Sequence, residues 1–140
     1  MQTNPMHCKI VRLNHEHLDR LGVNNPELRQ AWFSDGSLSY CLMCDSLPVF
    51  AGGVVNMQWR RGEAWLLPTP WFRSHIKTCL RKMRDVLPVL AIEGNFKRIQ
   101  VTCAITVSPL LFRHLGFCSE GVLKAFGPNG ETCHLYARLF

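Results

Sequence analysis

Apolar and polar residues alternate from His7 to Leu13, with Cys8, Ile10 and Arg12 set against Lys9, Val11 and Leu13. This pattern predicts a short first strand. Asn14 caps the next segment, His15 to Leu21, which reads as a short helix, and Asn25-Pro26 opens another with an N-cap and a first-turn proline. Asp35-Gly36 closes it. Leu38 to Cys44 and Pro48 to Trp59 are strand-like, joined by the turn chemistry of Asp45-Ser46. Arg60-Arg61-Gly62 turns the chain again, and a third run, Glu63 to Leu67, stops at Pro68-Thr69-Pro70. Phe72, Ile76, Leu80, Met83 and Leu87 then recur at helical spacing, which predicts one long amphipathic helix, kinked or ended by Pro88, with Val89 to Ile92 either continuing it or packing as a separate turn.

Beyond the loop Glu93-Gly94-Asn95, Arg98 to Ile105 reads as a buried strand with Ile99, Val101, Cys103 and Ile105 on one face. Ser108-Pro109 starts a helix that runs through His114 and stops at Leu115-Gly116-Phe117. Gly121 to Phe126 and Thr132 to Leu139 form a terminal hairpin around Gly127-Pro128-Asn129-Gly130. The predicted order is therefore strand, two helices, three antiparallel strands, a long helix, a strand, a helix and a hairpin. No repeat or linker interrupts it, so residues 1–140 read as one domain.

Composition narrows the class. With 47% apolar and 19% charged residues, and no apolar run near the ~20 residues of a membrane span, the chain is expected to be soluble. Met1 to Pro5 lack the basic start and apolar run of a secretory leader, so a cytoplasmic location is expected. The seven cysteines, at 8, 41, 44, 79, 103, 118 and 133, are read as buried thiols. Cys41 and Cys44 stand three apart in a strand, which sends their sulfurs to opposite faces, so no metal site is expected. The net charge of +6 gathers partly in Arg73, Lys77, Arg81, Lys82 and Arg84. That stripe reads first as a solvated helix face and second as a surface for a protein partner; no DNA-binding motif accompanies it. Gly52-Gly53 within a strand indicates a bulge or a close backbone approach, and Trp59, Trp65 and Trp71 are read as core. His114 and His134 have no partner evident in sequence and receive no role.

Leu115-Gly116-Phe117 after a short helix, then Glu120-Gly121, Gly127-Pro128-Asn129-Gly130 and a closing strand, resemble the C-terminal half of the GNAT acyltransferases, and the element order extends the likeness to nearly the whole chain. Ala64-Trp65-Leu66-Leu67 before a basic helix and Phe112-Arg113-His114-Leu115-Gly116-Phe117 are similar to the small acetyltransferase-like proteins of tailed phages, including the internal virion protein group. The resemblance implies an α/β (α+β) fold, with a mixed, mostly antiparallel sheet of about six to seven strands flanked by about four helices. It implies acetyl-CoA as acyl donor, held where the fourth and fifth strands splay apart. Backbone near Leu66 and Leu67 would meet the pantetheine arm, and the segment from Thr69 to Ser74 would meet the pyrophosphate. An amine, in a protein or a small molecule, would be the acceptor, attacking directly in a ternary complex with Glu63 as general base.

Two features depart from the family pattern. Pro68-Thr69-Pro70-Trp71-Phe72-Arg73-Ser74-His75 contains no glycine, and its prolines lack N–H donors, so Arg73, Ser74, His75 and Lys77 are the side chains placed to contact phosphate. Phe112 stands where many members carry a proton-donating tyrosine, which leaves Ser108 or water as the donor. Two readings follow: an active N-acetyltransferase, or a non-catalytic GNAT-like module that binds a partner through its basic surface. A DNA binder is a distant third.

Overall fold

The computed structural model describes residues 7–140, so Met1 to Pro5, read above for a leader, lie outside the described residues. Seven strands form one sheet: β1 (Cys8–Arg12), β2 (Leu38–Cys44), β3 (Leu47–Asn56), β4 (Arg61–Leu67), β5 (Arg98–Ala104), β6 (Cys118–Leu123) and β7 (Cys133–Leu139). Their order is β1-β2-β3-β4-β5-β7-β6, antiparallel throughout except between β4 and β5. Five helices accompany it: α1 (His15–Arg20), α2 (Pro26–Trp32), α3 (Pro70–Ser74), α4 (Ile76–Glu93) and α5 (Pro109–His114). The mixed, mostly antiparallel architecture is the expected one. Among the described residues, no helix is long and apolar enough to cross a membrane.

Helices lie on both faces. Leu18 and Trp32, from α1 and α2, pack with Leu13, Cys41 and Ala51 on one side. Leu87, Leu90 and Ala91 of α4 join Val54, Ile99, Phe112 and Tyr136 on the other. The caps behave as their residue types dictate: Asn14, Asn25, Thr69 and Ser108 each accept a backbone N–H at the start of a helix.

The differences from the sequence reading have local causes. The long helix is divided at His75, whose φ of −121° and ψ of 30° leave the helical region. The part from Ile76 then continues through Pro88 to Glu93. A proline here removes the hydrogen bond to the Arg84 carbonyl, and the Arg138 guanidinium lies 3.5 Å from that oxygen. β3 stops at Asn56 because Gln58, Trp59 and Arg60 take left-handed φ of 69°, 53° and 59°, so Arg61 and Gly62 already belong to β4. β6 starts at Cys118 and ends at Leu123. Ile105 lies past the end of β5 and is exposed. Trp59 is 83% exposed and is no core residue, whereas Trp65 stacks on Trp32 at 3.8 Å. The cysteines are not all buried thiols either: Cys8 and Cys44 face each other across β1 and β2 and form a disulfide, and Cys118 is exposed.

Gly53 marks a close approach of two strands. A Cβ there would stand 2.1 Å from the Leu38 carbonyl oxygen and 2.9 Å from the Ser39 Cα, both backbone atoms of β2. Neither can swing aside. Gly53→Ala is therefore expected to cost at least about 1–3 kcal/mol, the scale of overpacking a well-packed interior. Chemical denaturation of the variant beside Gly22→Ala, where nothing lies within 4 Å of the new Cβ but φ is +78°, separates steric overlap from backbone strain.

Candidate active site

β4 and β5 run side by side for three residue pairs only: Arg61 with Arg98, Gly62 with Ile99, and Glu63 with Gln100. After that they part. β4 stays with β3 as far as Leu67, and β5 stays with β7 as far as Ala104. The mutually facing edges of residues 64–67 and 101–104 thus carry backbone N–H and C=O groups with no partner across the gap. Such groups are obligatory hydrogen-bonding sites, and an extended amide-bearing ligand is a natural partner for them.

Glu63 sits at the point of divergence. Its Oε2 accepts from Gln100 Nε2 at 3.0 Å and its Oε1 from Thr102 Oγ1 at 3.1 Å. The Gln100 amide is itself oriented, because its Oε1 accepts from Arg98 Nε at 3.0 Å. Arg98 in turn grips Glu120 of β6 with both terminal nitrogens, one at 2.9 Å. A polar chain therefore runs across the sheet from Glu120 to Glu63. It fixes the carboxylate at the point where β4 and β5 part.

The other residues singled out from sequence lie in different surroundings. Leu66 lines an apolar cavity of about 110 Å³ between the sheet and α4, and Leu67 packs against the α1–α2 core. Thr69 is occupied: Oγ1 accepts the Phe72 N–H that starts α3 and donates to the Val49 carbonyl at 2.5 Å. Ser74 donates to Pro70, and Arg73 is exposed. Lys77 lies farther along, in an open cleft of about 570 Å³ between α4 and α5, with Arg81, Ser108 and His114. The His75 side chain makes no cap for α4, since its Nδ1 lies 2.9 Å from the Trp71 carbonyl. The first N–H groups of that 18-residue helix are left without a side-chain partner, and the positive end of the dipole adds to Lys77 and Arg81. An anion fits there better than at Thr69.

Arg81 and His114 carried no site role in the sequence reading. Arg81 was visible only as part of a basic stripe; its pairing with a residue of α5 depends on how the two helices pack. Phe112 is buried, stacked on Tyr136 at 4.5 Å and edge-on to Phe117 at 6.4 Å. It fills space between α5 and the sheet.

No protein-family model matches the chain, and no curated protein matches it in sequence. Solved structures do match in shape. A candidate phosphinothricin N-acetyltransferase superposes with a TM-score of 0.77 at 12% identity, over 96% of this chain and 99% of that one. A single-residue mutant of the Vibrio cholerae spermidine N-acetyltransferase gives 0.75 at 14% identity, covering 94% and 93%. An acetyltransferase candidate from Acinetobacter baylyi gives 0.77 at 13% identity, covering 98% and 95%. The fold is the GNAT fold. Within it, the parting of β4 and β5 is a property of this chain's own strand register.

The Arg98–Glu120 pair gives this sheet a pH dependence of known sign. The hydrogen bond from Arg98 is the main cause that holds the Glu120 carboxyl below its ordinary range. A carboxyl lowered in the folded state stabilises above its unfolded pKa, and that contribution is lost as pH falls through the folded value. Urea unfolding followed as pH falls below the ordinary glutamate value of about 4.3 should show a steeper loss in the native protein than in Glu120→Gln.

Proposed function

We propose that the protein is an N-acetyltransferase that moves an acetyl group from acetyl-CoA to an amine. The observation that supports this most directly is the three-pair contact of β4 and β5 with Glu63 at its end. Acetyl-CoA supplies the activated acetyl group. The unpaired edge of β4 beyond Glu63 suits its pantetheine amides, and Lys77, Arg81 and His114 beside the start of α4 suit its phosphates. Glu63 takes a proton from the acceptor's ammonium. The neutral nitrogen then bonds to the acetyl carbon as the carbon–sulfur bond breaks, the sulfur leaves with one proton, and the remaining proton passes to solvent. Phe112 has no proton to give and is buried, so the proton for the sulfur comes from solvent water. The tailed-phage acetyltransferase-like proteins remain the group whose motifs the chain resembles, and the cytoplasm is the compartment this reading assigns.

A second reading draws on the same site. Pro68 and Pro70 lack donors, Thr69 is committed to its own helix, and Phe112 lies in the core, all of which favour a GNAT-like module that binds a partner through the exposed basic residues of α4. Titration calorimetry with acetyl-CoA separates the two. Micromolar binding is expected, weakened roughly tenfold or more in Lys77→Ala with Arg81→Ala, the scale of losing charge-assisted hydrogen bonds. Glu63→Gln is expected to keep the affinity and lose about 10²–10⁴ in rate. No heat of binding at millimolar acetyl-CoA would leave the module as the working description.

A further inference from the structure

One cation beside Glu63 has nothing to hold. Arg61 and Glu63 are alternate residues of β4, so their side chains leave the same face of the sheet, about 7 Å apart along the strand. Arg61 Nε is buried and makes no hydrogen bond, and no carboxylate pairs with the guanidinium among the described residues. The neighbouring cation, Arg98, is already taken by Glu120. A buried donor without a partner keeps an uncompensated loss of hydration, which a ligand that supplies an acceptor would remove.

The turn before Arg61 is built with the same effect. Gln58, Trp59 and Arg60 all occupy the left-handed region, which L side chains avoid. The turn is pinned from outside, since the Arg60 carbonyl accepts from the Lys97 N–H at 2.7 Å and the Arg60 side chain donates to Asn95 at 2.7 Å. This conformation holds the exposed Trp59 ring 5.0 Å from the Arg61 guanidinium. An aromatic ring that orients a guanidinium with free donors is a recognition element for a planar anion.

Resting on the transferase reading above, we propose that the acceptor is a small amine that carries a carboxylate, an α-amino acid being the simplest, with Arg61 holding the acid group while Glu63 faces the amine. An α-amino acid carries its amine and its carboxylate carbon two covalent bonds of about 1.5 Å apart, a separation that side chains from alternate residues on one face of a strand are placed to bracket. Arg61 is a specificity residue in this arrangement; the bond-making is unchanged.

The test compares L-methionine, L-phenylalanine and L-glutamate with their α-amides, which keep the amine and lose the negative charge. Binding is followed by tryptophan fluorescence, with Trp59 as reporter, and acetylation is followed separately. At least one acid should bind roughly tenfold tighter than its own amide. In Arg61→Gln that preference should fall within about threefold, with Arg61→Lys in between because it keeps the charge without the fork. Amides bound as well as acids, a preference that survives in Arg61→Gln, or no response to any acid at ~10 mM would overturn the proposal. Intact acetyl-CoA binding alongside any of those results sinks the acceptor assignment alone. Acetyl-CoA binding absent from every protein sinks the transferase reading instead, while the acid–amide comparison still reports on Arg61.

Discussion

The short parallel contact between β4 and β5 is the constraint on which the rest of the molecule depends. Each of these strands keeps its antiparallel partner to its end, β4 with β3 and β5 with β7, so the two halves of the sheet diverge as soon as the parallel pairing stops at Glu63 and Gln100. Thr69 extends the attachment of the β4 end by donating to Val49 of β3. Gly62 makes room on β4 for the Val54 side chain of β3, which a Cβ there would meet at 2.2 Å. The gap therefore follows from where hydrogen bonds are made elsewhere.

The polar residues near the divergence form one connected system. Glu120, Arg98, Gln100, Glu63 and Thr102 are linked from β6 to β4 by hydrogen bonds, and each donor satisfies an acceptor that would otherwise rotate freely. Such a chain orients Glu63 without burying it deeply, which is compatible with the general-base role proposed for it. Arg61 stands outside this system on the same strand, the one cation of β4 and β5 without an anionic partner among the described residues. A satisfied network beside an unsatisfied donor is the asymmetry expected where a ligand completes the set.

The helix after β4 shows how a small conformational change moves a site. Thr69, at the head of the segment expected to meet pyrophosphate, commits its hydroxyl to capping the five-residue α3. His75 then breaks the chain and leaves α4 to begin without a side-chain cap at Ile76, where Lys77 and Arg81 face α5 across a cleft. The anion-attracting helix start is thus displaced along the chain from the proline-bounded loop. The uncapped start of α4, and not the glycine-free loop before α3, is where helix N–H groups are left without a side-chain partner.

Much of the fold was legible from the chain alone. Asn14, Asn25-Pro26 and Ser108-Pro109 marked helix starts because capping is a local hydrogen bond, and alternation marked β1 and β5 because a strand's two faces differ by one residue. Glu63 was legible as a carboxylate on the fourth strand. Other features required the folded chain. The helix through Pro88, with Arg138 near the freed Arg84 carbonyl, and the Cys8–Cys44 bridge each join residues dozens of positions apart, so no local pattern encodes them. The left-handed turn at Gln58 to Arg60 is held from Asn95 and Lys97, against the preference of its own residues. Local hydrogen bonding and side-chain periodicity determined the elements; which charges are paired, which donors are left over and where β4 and β5 part were decided only by tertiary contacts, because those depend on distances the sequence does not contain.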